Sequence, residues 1–183
     1  MEVGAHGGLE SSRYLSPMGY AYLYGYVPGI LRTHGIKLTA TLQGKLNDAP
    51  FGQALTSILP RGLSENGSLL SWISVRNKSM AKVTADYAFP IFIGDLAIGG
   101  NFFSIKRLVV NPHFDYTYAG GKGLFSVGGE LILDLHSILT LEWPCSFGVT
   151  YSYNGGNGIK TLSEESGIAI NRHFVGPTFN VSF

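Results

Sequence analysis

The sequence predicts an all-β protein, an antiparallel transmembrane β-barrel of which these 183 residues would supply the C-terminal seven or eight strands. Three observations predict it. Apolar and polar residues alternate with a period of two along most of the chain. Aromatic side chains gather toward the ends of the alternating runs. The connections between runs are alternately short and long, as in barrels that cross an outer membrane.

Composition narrows the class first. The chain is 45% hydrophobic and 14% charged, enough to bury a core, and its net charge is +1 with Lys and Arg scattered, so no basic face for nucleic acid emerges. The 25 Gly, 10 Tyr and 11 Phe suit strands and tight turns rather than long helices. Tyr14 to Leu31 is uncharged but is broken by Pro17, Gly19, Gly25, Pro28 and Gly29, which argues against a membrane helix. A single cysteine, Cys145, excludes an internal disulfide and a cysteine-built metal cage. Met1-Glu2-Val3-Gly4 opens no charged-then-apolar export signal, so residues 1–14 are expected to be an incomplete or poorly ordered start, with the barrel continuing upstream.

The elements follow from the alternation. Tyr20, Tyr22, Tyr24 and Tyr26 share one parity against small or apolar neighbours, the weakest case. Ile36 to Gln43 and Ala81 to Tyr87 repeat apolar then polar. Leu108, Val110, Phe114, Tyr116 and Tyr118 oppose Asn111, His113, Asp115 and Thr117. Phe125, Val127, Leu131, Leu133 and Leu135 oppose Ser126, Glu130 and Asp134. Cys145, Phe147, Val149, Tyr151 and Tyr153 oppose Ser146, Thr150 and Ser152, which places Cys145 on the apolar set as a small residue. Last, Val175, Pro177, Phe179, Val181 and Phe183 oppose Gly176, Thr178, Asn180 and Ser182.

Such alternation also suits a soluble sandwich, whose apolar face points inward. Runs of about ten residues match a tilted membrane strand, and Phe89, Tyr116, Tyr118, Tyr151, Tyr153 and Phe183 sit where interfacial girdles belong. Gly44–Asn77 and Asn154–Arg172 read as long loops on the outside. Pro28–Gly35 and Pro90–Lys106 read as connections on the periplasmic side. An even strand number would complete a barrel of about 16 strands, of which this segment is a part.

Lys37, Lys82, Asp86, His113, Asp115, Glu130 and Asp134 all fall on polar faces and would line the lumen. His113, two positions from Asp115, with Ser126 or Ser182 as nucleophile, would be the only catalytic constellation, and no nucleophile motif frames either serine, so no catalytic residue, cofactor or metal site is assigned. Gly120 to Gly123 and Asn154 to Gly158 lack phosphate-loop spacing and read as turns.

The order of features after residue 60 resembles the barrel of the bacterial surface antigen superfamily, which includes the outer-membrane assembly insertase and two-partner-secretion pores. Pro60-Arg61-Gly62-Leu63 is similar to the family's valine-arginine-glycine-aromatic motif at the tip of an inward-folded loop. Asp86 stands in the strand where the family places an acid, and His113-Phe114-Asp115-Tyr116-Thr117 stands at its aromatic-any-Asp-any-Gly motif. Leu63, His113 and Thr117 depart from those patterns, which leaves Arg61, Gly62, Asp86 and Asp115 to carry the likeness. Multidomain outer-membrane barrel proteins of the Bacteroidota type look similar in the same region.

The resemblance implies an integral barrel of the Gram-negative outer membrane that acts in protein insertion, secretion or transport. Its partners would be membrane lipid, the outer-membrane assembly machinery and unfolded client proteins. It implies a loop latch in which Arg61 beside Gly62 pairs with Asp86 and Asp115, and a C-terminal assembly signal formed by Phe179, Val181 and Phe183. The alternative is a passive membrane anchor for an upstream periplasmic or surface domain, and a third is a barrel enzyme.

Overall fold

The computed structural model describes residues 2–9, 15–45, 58–64, 67–99, 103–138 and 145–181. They build one antiparallel sheet of eight strands in which every strand pairs with its neighbours in sequence. The strands are β1 (Glu2–Leu9), β2 (Leu15–Pro28), β3 (Gly35–Lys45), β4 (Ser79–Ile98), β5 (Phe103–Ala119), β6 (Lys122–Ile138), β7 (Cys145–Gly155) and β8 (His173–Val181). Two helices interrupt this order, α1 (Gly67–Arg76) before β4 and α2 (Gly158–Ser166) before β8. No described helix is long and apolar enough to cross a membrane.

Residues 1–14, expected to be an incomplete or poorly ordered start, include β1, which pairs with β2 from Glu2↔Tyr22 to Leu9↔Leu15. Its glycines Gly4, Gly7 and Gly8 erase the alternation by which strands are recognised. Pro90–Lys106, expected to be a connection, is mostly strand: β4 runs on to Ile98 and β5 starts at Phe103. The ladder shifts register between Pro90 and Phe92 and again between Ile93 and Leu96, and bulges of this kind scramble the period of two. Parts of both long loops are helical. The residues 182–183 and 46–57 lie outside the described set, and with them Phe183, Ser182 and most of the stretch before Ile58.

Burial along the strands is inverted relative to a water-soluble sheet, which buries its apolar positions. In β5, His113, Asp115 and Thr117 are buried while Phe114, Tyr116 and Tyr118 are exposed. Likewise Thr39 and Thr41 are buried beside exposed Leu38 and Leu42, Lys82 and Thr84 beside exposed Val83, and Ser152 beside exposed Tyr151. The exposed face continues through Val127, Leu131, Phe147, Val149, Val175 and Phe179. Cys145 shares their parity but is itself buried at the start of β7, where it stands opposite Leu135, also buried. The tyrosines of β2 belong to the polar parity, since Tyr22, Tyr24 and Tyr26 stand opposite Thr41, Thr39 and Lys37. Their rings form a row with centroids 5.8 and 6.1 Å apart.

The hydrophobic core lies at one end of the sheet, on its polar face. It joins Ile58, Leu59 and Leu63 to Leu69 and Ile73 of α1, Ile159 and Leu162 of α2, and the strand-end residues Met80, Ala119 and Leu124. Each helix meets it with an i, i+3 or i, i+4 apolar pair. Arg76 in the last turn of α1 stacks over Trp72, 4.1 Å from the ring centre, and adds a cation where the helix dipole is negative. Gly167 ends α2 in a left-handed conformation, its N–H donating to the Ser163 carbonyl at 3.0 Å. Asn157 ties α2 to β6 by accepting the Gly123 N–H at 2.9 Å. Ala119 and Lys122 are joined through Gly120 and Gly121, both at positive φ, the two-residue turn whose twist suits a tight hairpin.

Candidate functional site: a loop fastened to the polar face

From the core downward the polar face is layered. Met80 and Ala119 face each other at the core, Lys82 and Thr117 lie one rung below, then Thr84 and Asp115, then Asp86 and His113. Ser126 and Asn154 continue the Asp115 rung through β6 and β7. The period of two puts all of these side chains on one face, and the antiparallel register brings residues distant in sequence to the same height.

The segment Ile58–Leu63 descends onto these rungs. Arg61 forms an ion pair with Asp86, and its guanidinium lies 3.3 Å from Asp115. Asp115 is fully buried and also accepts the backbone N–H of Arg61 at 2.9 Å. Lys82 brings a second cation to Asp115 at 3.4 Å and donates to the Leu59 carbonyl at 2.7 Å. Thr117 donates to the Ile58 carbonyl at 2.8 Å. Two cations thus meet two carboxylates, which is what allows charges to stay out of water. The loop backbone is held as firmly as its side chain.

Gly62 shows why the tip takes this shape. Its φ of 85° is strained for any side chain, and a Cβ there would meet Asn154 Nδ2 at 2.7 Å and Phe174 Cβ at 2.8 Å. The structure therefore brings together Arg61, Gly62, Asp86 and Asp115. Lys82, Thr117, Asn154 and Phe174 were missed as members of the site. Alternation marks Lys82 and Thr117 as inward, but the loop atoms they hold are main-chain carbonyls, which carry no sequence signal. Leu63, in place of the aromatic, is buried in the core beside Ile58.

Other carboxylates of the polar face are bonded across the strands. Glu130 accepts from Thr150 at 3.2 Å and Thr178 at 2.8 Å. Asp134 accepts from Arg107 at 2.7 Å and Ser146 at 2.7 Å. Lys37 stands opposite Asp86 in register. Phe179 lies exposed on the apolar face and Val181 ends β8. The catalytic arrangement considered from sequence is assembled differently: His113 Nε2 lies 3.0 Å from Ser152 Oγ rather than meeting Ser126. Asp115 is engaged by Arg61 and Lys82, and no described carboxylate bonds His113 Nδ1.

Comparisons with protein-family models, curated proteins and solved structures find no match to this chain.

Proposed function

We propose that the chain forms wall of an outer-membrane β-barrel of the bacterial surface antigen and assembly-factor type, acting in protein insertion, secretion or transport. The observation that carries this reading is the inverted burial: apolar side chains are exposed on one face of the strands and polar ones buried on the other. Lipid is the solvent that accepts such a face, and a closed barrel is the arrangement in which a sheet can meet it. The polar face then lines a lumen, and the Arg61 loop is a plug within it. Membrane lipid, the assembly machinery and unfolded clients are the partners this reading requires.

Parity gives the direct test of the membrane. Spin labels at Val149 and Tyr151, both exposed, are expected to meet a lipid-soluble quencher, and labels at Thr150 and Ser152 a water-soluble one. Equal accessibility at the two sets would refute a lipid-facing wall.

One observation favours the second reading, a passive anchor for another domain. The core of Ile58, Leu59, Leu69 and Ile73 is fully buried and closes one end of the polar face. Planar-bilayer conductance separates the two. A transport barrel whose plug is held by charge should open when Arg61 is replaced by alanine, so the variant shows channel events that the parent lacks. An anchor stays silent in both forms.

A further inference from the structure

His113 stands beside the latch but takes no part in its ion pairs. It is 3% exposed on the polar face of β5, directly across from Asp86 of β4 in register. Its Nε2 meets Ser152 Oγ of β7 at 3.0 Å, past Gly128 of β6, which has no side chain to intervene. No described group bonds its Nδ1. The Ser152 hydroxyl can accept as well as donate, so Nε2 can carry the ring's hydrogen and leave the Nδ1 lone pair open to a proton. The charged groups around the ring are Arg61 of the loop, Asp86 of β4 and, two rungs up, Lys82 of the same strand, Asp115 of its own strand, and Glu130 of β6 one rung down. β7 adds the uncharged Thr150, Ser152 and Asn154.

We propose that His113 is the acid sensor of this latch: a proton taken up by its ring weakens the hold of Arg61 on Asp86 and frees the loop. With the ring neutral, Arg61 and Lys82 balance Asp86 and Asp115. A protonated ring sets a further cation among them and a new N–H donor across from Asp86, where it competes with the guanidinium. Once the loop has left, Arg61 has gone with it, and the ring faces the two carboxylates against Lys82 alone. Glu130 is held by Thr150 and Thr178 in either state and does not discriminate between them. The undocked state therefore binds the proton more tightly than the docked one, and by linkage a falling pH favours undocking. Imidazole is the side chain that changes charge near neutrality, whereas carboxylates ordinarily do so only in stronger acid. The sensor rests on the ion pairs and the register; only what its release opens rests on the reading of the loop as a plug.

The test uses the full chain in its folded state. Amide hydrogen exchange of Arg61, whose N–H is bonded to Asp115, reads loop opening once the intrinsic effect of pH on exchange is divided out. Its protection should fall about tenfold from about pH 8 to about pH 5, the factor set by a difference of about one unit between the two states. In His113→Gln, whose amide is long enough to meet Ser152 but takes up no proton, protection should change by less than about twofold. The reciprocal effect needs no change at His113: its ring signal in nuclear magnetic resonance, identified by contacts with Ser152, should titrate about one unit higher in Arg61→Ala than in the parent. No fall in the parent, or an equal fall in His113→Gln, which would place the titration on the carboxylates, overturns the proposal. So does a His113 midpoint unmoved by Arg61→Ala. Either failure leaves the spin-label test of the wall untouched, because these measurements read the loop and not the medium around the apolar face.

Discussion

Arg61→Ala is expected to release the loop from the polar face and to lower stability by about 3 kcal/mol. The figure is the lower end of the cost of removing one partner from a buried pair, because the Arg61 side chain retains 28% exposure. Asp86 and Asp115 are left with Lys82 as the described cation between them, and Lys82 is already committed to the Leu59 carbonyl. Loop position is the sharper readout. A cysteine pair at Ile58 and Thr117, positions joined by a 2.8 Å hydrogen bond, should cross-link in the parent and fail to do so in Arg61→Ala. Adding Asp86→Asn to Arg61→Ala should recover part of the loss, since it removes one of the two orphaned charges. Cross-linking that survives Arg61→Ala would show that the Lys82 bond to the Leu59 carbonyl and the buried apolar core suffice, and the charge latch would lose its role.

Leu131→Arg should be the most damaging substitution on the opposite face. Leu131 is 48% exposed and stands opposite exposed Val149, well away from both strand ends. In a soluble protein, a surface change of this kind stays within about 0.5 kcal/mol. In a barrel wall, a cation near the bilayer midplane costs about 2–4 kcal/mol. Unfolding titrations in lipid vesicles therefore decide between the two media. The same variant with Ser126→Ala as a companion on the buried face gives a control for general disturbance. A change below about 0.5 kcal/mol at Leu131 would mean that no lipid covers this face.

Legibility in the sequence followed the physics of each segment. Strands with one polar and one apolar face, such as Ile36–Gln43 and the stretch from Cys145 to Tyr153, announce themselves because residue type changes at every step along them. β1 and the far part of β4 do not: glycines blank the pattern in the first, and the second is apolar on both faces with bulges that shift its register. Alternation could place Asp86 and Asp115 on one face, and the family likeness added Arg61 and Gly62. It could not supply the loop's carbonyl contacts, nor the rung that sets Ser152 rather than Ser126 against His113, since both depend on a register fixed by turns far apart in sequence. The helices were hidden for another reason. Each is short, and its apolar residues serve a core that exists only once the loop is in place.

The connectivity also dictates an order of assembly. Every strand lies beside its sequence neighbour, so the sheet can grow one hairpin at a time through local encounters. The loop cannot follow that schedule, because its partners on β5 lie 54 and 59 residues downstream of Arg61 and Ile58. Closing so long a segment is an entropic search, and it begins only after the hairpin ending at Ala119 has formed. Late docking of this segment, observed as a slow phase after strand formation is complete, would make the plug the final checkpoint of maturation and the strand wall its scaffold.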